Sequence, residues 1–249
     1  MKIEKIQPTR AYRLVSDDLR QRISAGSLAQ GEALPPELEL ATAFGVHRST
    51  IREALRQLEQ EGLLRRDGKK LVVSMPRPAE LAHSAERALR LQQVSYLHVW
   101  QVALVLEPLC AALAAESITD VELAALERNL ARTEAIVARG ESPVEVDLEF
   151  QNLVAEAAHN PALLLGRGPI SLLMRAGYAG IAARLPQSGT RLLEVHRRLV
   201  DALRRRDPVA AADEMRKHIQ DYRRGCEFVG LDMRQPVPLL ADGPAPLER

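Results

Sequence analysis

Apolar residues recur at helical spacing along most of this chain, and the places where that rhythm breaks mark its parts. Residues 10 to 25 carry Ala11, Val15, Leu19 and Ile23 on one face and stop at Gly26, which predicts a first helix. Leu34 to Glu61 holds two short amphipathic helices joined by a turn at Gly45. Leu40, Ala41 and Phe44 make the inner face of the first, and Ile51, Leu55 and Leu58 that of the second. Arg48, Arg52 and Arg56 fall on the opposite side of the second helix. Leu63-Leu64-Arg65-Arg66 and Leu71-Val72-Val73-Ser74 then read as two short strands around Asp67-Gly68-Lys69-Lys70, a strong hairpin signal. Helices followed by a basic-tipped hairpin describe a winged helix-turn-helix. In that arrangement the second helix enters the DNA major groove with its N-terminal side chains foremost, here His47, Arg48, Ser49, Thr50 and Arg52. A basic outward face is common on surface helices. The glycine turn, the small polar residues at the helix start and the hairpin are what favour DNA.

Met75-Pro76-Arg77-Pro78 cannot be helical throughout and predicts a linker. We divide the chain into a winged domain at 1–75, a linker at 76–85, a helical effector-binding and dimerisation domain at 86–230 and an irregular tail at 231–249, its last fifteen or so residues mobile. Breaks at Ser95, Ser117 to Asp120, Gly140 to Pro143, Asn160-Pro161, Pro186 to Gly189 and Asp207-Pro208 imply six or seven helices, with Thr119, Ser142 and Asp207 as N-caps. The fold class is therefore mainly α: an N-terminal winged helix-turn-helix with a small β-hairpin wing, and a C-terminal all-α bundle.

Composition changes this picture little. At 249 residues the chain has room for one or two domains, and 46% hydrophobic residues suffice for a core. Aromatics at 3% favour Leu/Ala-packed helices over a β-sandwich. The net charge of +1 decides nothing, since charge that binds DNA is local, and a basic face is expected within the first 77 residues. Cys110 and Cys226 sit in apolar helical contexts and read as reduced core residues of a cytoplasmic protein. The N-terminus has no apolar signal core. The longest apolar run, Val102 to Ala115, is interrupted by Glu107 and Pro108, too short and polar to span a bilayer. No membrane partner is expected.

Three predicted helices each place polar residues on an inward stripe. Asp147 and Gln151 share a face with Val144, Val154 and Ala158; His196 with Leu192, Leu199 and Leu203; His218 with Ala211, Met215 and Tyr222. Buried polar groups need partners, so the three sets point to a shared one. An aspartate with two neutral imidazoles matches the ligands of zinc, nickel, manganese or iron. The plainer alternative is that each histidine is a hydrogen-bonded core residue beside an unrelated aspartate. His47, His83, His98 and His159 are expected at helix ends or on the surface, with His47 within reach of a phosphate.

These residues closely resemble the GntR family of bacterial transcription regulators, in its FadR/FCD branch. The N-terminal resemblance runs from about Ala11 to Ser74, through Gly31, Leu34, Pro35, Glu37, Leu40 and Ala41, then Phe44 to Leu55, then Glu61-Gly62-Leu63-Leu64. The C-terminal one spans roughly Glu86 to Phe228, carried by Leu106-Glu107-Pro108, Asp147 and Phe150, Asn160-Pro161, His196 and His218. The resemblance implies that Arg48, Ser49, Thr50 and Arg52 read the groove and that Lys69 in the wing tip contacts the minor groove. His47 stands where the family usually has Ser or Thr, which weakens the N-cap, and Leu38 where some members have an arginine. Many members hold a metal through an Asp-x-x-x-His pair and two later histidines; here Gln151 replaces the first histidine, leaving Asp147, His196 and His218 for one divalent transition metal. Ala103 replaces an arginine that serves ligand carboxylates, so Arg175, Tyr178 and Arg191 become candidates for contacting an acidic effector.

The function implied is a homodimeric, ligand-responsive repressor of operator DNA whose effector, a small organic acid or related metabolite, meets Asp147, Gln151, His196 and His218. Two alternatives stay open: a DNA-binding regulator with a degenerate, ligand-free sensor, and a helical metal-dependent hydrolase. The second lacks an HExxH motif and a general base beside the cluster.

Overall fold

The computed structural model describes residues 9–75, 78–185 and 187–238. They form two units divided after residue 77. The expected segments at 1–8 and 239–249, and Pro76-Arg77 of the expected linker, lie outside the described residues.

In the first unit, α1 (Thr9–Ser24), α2 (Glu37–Phe44) and α3 (Arg48–Gln60) precede the hairpin β1 (Leu64–Asp67) and β2 (Lys70–Val73). Val15, Leu19 and Ile23 from α1 close over Leu40, Ala41, Ile51, Ala54, Leu55 and Leu58. Gly45 ends α2 in the left-handed region at φ 65°, its N–H returned to the carbonyls of Ala41 and Thr42, so the chain reverses into α3 within three residues. The strands are antiparallel with Asp67 opposite Lys70, which places Gly68 and Lys69 alone in the turn and starts each strand one residue later, or earlier, than the sequence pattern suggested. Gly68 takes φ 60°, the conformation a two-residue hairpin requires there. A third short piece was not anticipated. Gly31 to Leu34 lie along β2, with Gly31 N–H to Val73 O at 2.9 Å, Val73 N–H to Glu32 O at 2.8 Å and Leu34 N–H to Leu71 O at 2.8 Å. The run of turn residues there hides a strand edge.

Among the described residues the second unit holds seven helices: α4 (Pro78–Leu91), α5 (Tyr96–Ser117), α6 (Asp120–Ala138), α7 (Val144–Ala157), α8 (Pro161–Arg184), α9 (Ser188–Arg204) and α10 (Pro208–Phe228). The expected linker at 76–85 is corrected by α4, which begins at Pro78. Proline is tolerated in a first helical turn, and the inward stripe of this helix (Ala82, Glu86, Arg90) is charged, so apolar periodicity could not reveal it. Thr119 and Asp207 cap α6 and α10 through their side chains. Ser142 does not cap α7. Pro143 takes the cap position with no side-chain bond, pushing the serine one residue too far out.

Among the described residues α5 is the one helix long and apolar enough to cross a membrane, longer than the run Val102 to Ala115 implied. It instead packs on α7, α8, α9 and α10. It also carries fully buried Glu107, whose Oε1 accepts from Arg167 Nε of α8 at 2.9 Å; Arg167 Nη1 reaches Asn152 Oδ1 of α7 at 2.6 Å. Breaking such a buried pair from one side costs ~3–5 kcal/mol. The tail is also corrected in part. Leu97 N–H donates to Met233 O (2.7 Å), Tyr96 N–H to Gln235 O (3.2 Å) and Val237 N–H to Val94 O (2.8 Å), while Met233 and Val237 are buried. Residues 231–238 therefore supply acceptors for N–H groups that the first turn of α5 would otherwise leave unpaired. Cys110 and Cys226 are both buried free thiols, each pushed up to about 12 by burial.

Close helix contact has a test at Gly177 of α8. A Cβ there would meet the Tyr222 hydroxyl and lie 2.7 Å from its Cζ, and that hydroxyl is buried without a hydrogen-bond partner. Gly177→Ala is expected to destabilise by ~1–3 kcal/mol, and adding Tyr222→Phe to recover part of the loss. Thermal melts of the two variants would read this as a drop of several degrees and its partial reversal; an unchanged midpoint for Gly177→Ala contradicts the packing.

Candidate functional sites

In the first unit, α3 presents Arg48 and Arg52 outward, their side chains 62% and 64% exposed. One carboxylate oxygen holds both: Glu37 Oε2 accepts from Arg48 Nε at 2.8 Å and from Arg52 Nη2 at 3.2 Å. Arg52, then Arg48, keep the Glu37 carboxyl below its ordinary range, so it stays ionised and fixes both guanidinium groups on one side of the helix. Ser49 is exposed, Thr50 half-buried, and Lys69 and His47 exposed. His47 occupies the N-cap of α3 without a side-chain cap bond, which leaves its imidazole unengaged there. Leu38 is exposed as well. The sequence offers Glu37 only as part of the family pattern, and its hold on both arginines emerges from the packing of α2 against α3.

In the second unit the three polar sets converge. Gln151 Nε2 lies 3.1 Å from Asp147 Oδ1, 3.1 Å from His218 Nε2 and 3.3 Å from Tyr178 Oη. His196 Nε2 is 3.1 Å from Asp147 Oδ1, and His218 Nε2 is 3.4 Å from the same oxygen. Phe150 stacks on His196 at 3.7 Å between ring centroids. All four polar residues are buried. Burial alone would raise the Asp147 carboxyl, but His218, His196 and Gln151 outweigh it and the group stays below its ordinary range. Burial holds His218 below the usual imidazole range, against the pull of Asp147. Tyr178 is driven up by burial and by Asp147, and remains a hydroxyl.

A cavity of about 380 Å³ opens beside this cluster. Asp147, His218, Tyr178 and Arg191 line it, while Gln151 and His196 stand behind Asp147. Arg175 lies outside the lining. It is exposed and pairs with Glu145 at 2.6 Å, because Met174 and Tyr178 take the inward stripe of α8. Asp221 and Arg224 were missed. The spacing His218, Asp221, Tyr222 and Gly225 marks one helical face and would have exposed Asp221.

Asp147, His196 and His218 offer ligand atoms within 4.8 Å of one another, a set that suits a metal ion by residue type. Gln151 does not suit one. Its amide nitrogen aims hydrogens at Asp147 Oδ1 and His218 Nε2, two of the three atoms that an ion at ~2.0–2.2 Å would need. The carboxamide nitrogen thus lies between the carboxylate and the imidazole, and its Oε1 is buried without a hydrogen-bond partner.

The comparisons with known proteins agree with both halves. The model described as bacterial regulatory proteins, gntR family, matches residues 11–72, and that of the FCD domain matches residues 98–221. The HTH-type transcriptional repressor NanR of Cronobacter sakazakii is 31% identical over 212 residues, covering 83% of this chain and 81% of that relative. NanR of Edwardsiella tarda is 28% identical over 212 residues, again covering 83% of this chain and 81% of the relative. A solved structure, Streptococcus agalactiae GntR, superposes with TM-score 0.66 at 30% identity, covering 86% of this chain and 99% of that one. This chain belongs to the GntR family. It is a DNA-binding transcription regulator with an FCD domain, not an enzyme, which removes the hydrolase alternative.

Gln151→His is expected to complete a four-ligand centre. Zinc affinity, read by competition with a chromogenic chelator, should rise at least ~100-fold, since even outer-shell changes shift such affinities ~10–100-fold. Equal zinc affinities for the variant and the parent would contradict the role given to the amide.

Proposed function

We propose that the chain is a homodimeric repressor whose operator binding is set by an acidic metabolite entering the cavity above Asp147. The observation that carries the DNA half is the outward pair Arg48 and Arg52, held in one pose by Glu37 at the head of α3. Side chains fixed before docking lose less freedom on binding, and arginine against guanine is the commonest specific contact in the major groove. His47, Ser49 and Thr50 stand beside them for phosphate and base edges, and Lys69 at the wing tip suits the minor groove.

The sensor half rests on a cavity whose lining joins buried Asp147 and His218 to Arg191 at the surface. The Gln151 bridge supports an effector site that works through hydrogen bonds, without a resident ion. A cavity with Asp147 and His218 on its wall also favours a working sensor over the degenerate alternative. The exposed apolar residues Val102, Val105 and Leu109 on α5, spaced i, i+3 and i+7, suit a second copy of the chain. Relatives that are bacterial DNA-binding regulators support a cytoplasmic location. A ligand that binds one operator-competent form better than the other shifts repression, and ~1–3 kcal/mol of coupling is an ordinary size.

Arg52→Ala is expected to lower operator affinity at least ~10-fold, in line with ~1–3 kcal/mol per bidentate base contact, and to erase the footprint while circular dichroism stays unchanged. An intact footprint with the variant would overturn the docking.

A further inference from the structure

From the way the cavity above Asp147 distributes its polar atoms, we infer the class of its ligand: a hydroxylated amphiphilic carboxylic acid, bound hydroxyl-inward and carboxylate-outward. The inference rests on the sensor reading above and narrows it. At the inner end, the hydrogen bonds to the 2% exposed Asp147 fall on Oδ1, from Gln151 and His196, and His218 Nε2 lies 3.4 Å from the same oxygen. Among the described residues no hydrogen bond reaches Oδ2, and the residue lines the cavity. Oδ2 is an acceptor in want of a donor. His218 is likewise engaged at Nε2, by Gln151 Nε2 at 3.1 Å and Tyr178 Oη at 3.3 Å. With Nε2 accepting, the ring proton sits on Nδ1, the nitrogen for which the described residues provide no partner. One free acceptor and one free donor match a hydroxyl, which gives one hydrogen bond and takes another. An ammonium has no lone pair for the imidazole N–H, and a carboxylate has no proton for Oδ2.

The middle of the cavity is apolar, walled by Ile181, Leu185, Val195 and Phe228 among others. A ligand with hydroxyls along its length would leave them unpaired there. At the rim, Arg191 holds Asp221 through Nε at 2.6 Å and Nη2 at 2.9 Å, while Arg224 Nη2 reaches the same carboxylate at 2.8 Å. Two guanidinium groups surround one carboxylate, Glu194 acts on Arg191 more weakly than Asp221 does, and both arginines are more than half exposed. That end takes an anion. The volume of about 380 Å³ lies within the ~300–1,000 Å³ usual for small-molecule pockets.

Calorimetric titration of the full-length protein with 8-hydroxyoctanoic acid, octanoic acid, 1-octanol and D-gluconate tests this. The hydroxy acid is expected to bind ~10-fold or more tighter than octanoic acid or octanol, the scale of one hydrogen bond to a charged group. Asp147→Asn should erase its advantage over octanoic acid. Arg191→Gln, at an exposed position, should cut the advantage of the acids over octanol about tenfold. Equal binding of the hydroxy acid and octanoic acid overturns the inference, as does binding of gluconate alone. Fluorescence anisotropy with labelled operator separates the two readings. Release of operator by gluconate alone keeps the sensor and refutes the ligand class. A protein that never binds the duplex refutes the regulator, while the calorimetric ranking still judges the ligand.

Discussion

Keeping a carboxylate inside a helical bundle is the constraint around which the second unit is organised. Asp147 cannot stay charged in that interior without donors, and an unpaired charge there would cost several kcal/mol. Its donors come from its own helix through Gln151, and from α9 through His196, while His218 of α10 stands 3.4 Å away. Two helices are thereby tied to one oxygen, and α10 joins them through the Gln151 amide at His218. The second oxygen is left for whatever enters the cavity, so the group that knits the bundle also forms the floor of its pocket.

Gln151 gives this arrangement its particular character. A carboxamide nitrogen carries two hydrogens, which here face three neighbours, Asp147 Oδ1, His218 Nε2 and the Tyr178 hydroxyl. A histidine at the same place would bring one such hydrogen and one lone pair, which favours a cation between the residues. On the reading proposed above, this one-residue difference turns a set of metal ligands into a hydrogen-bonded network. Glu37 plays a comparable part in the other unit. One carboxylate oxygen positions the two arginines that α3 offers to DNA, and both remain exposed.

Much of this was legible in the residues themselves. Ile51, Leu55 and Leu58 placed Arg48 and Arg52 outward by spacing alone, and the inward positions of Asp147, Gln151, His196 and His218 followed from the same period. What stayed hidden has physical causes. The inward face of α4 is an ion pair, Glu86 with Arg90, so a search for apolar stripes read its first turns as linker. Residues 31–34 and 231–238 are held by backbone hydrogen bonds, for which side-chain patterns carry no signature. Asp221 and Arg224 look like ordinary surface charges until α9 is laid beside α10 and brings Arg191 to them. Arg175 and Tyr178 are three residues apart on α8, and only packing decides which of them meets the cavity.

The claim at the centre of this account is that the Asp147 cluster is a hydrogen-bonded network in which Gln151 takes the place of an ion. Long-range nitrogen-15 spectra of the histidine rings in the full-length protein measure it most directly. The network requires His196 to carry its proton on Nε2 and His218 on Nδ1, with both patterns unmoved by a strong chelator. Ring nitrogen shifts that change when the chelator is added, or a proton on Nε2 of His218, would contradict it.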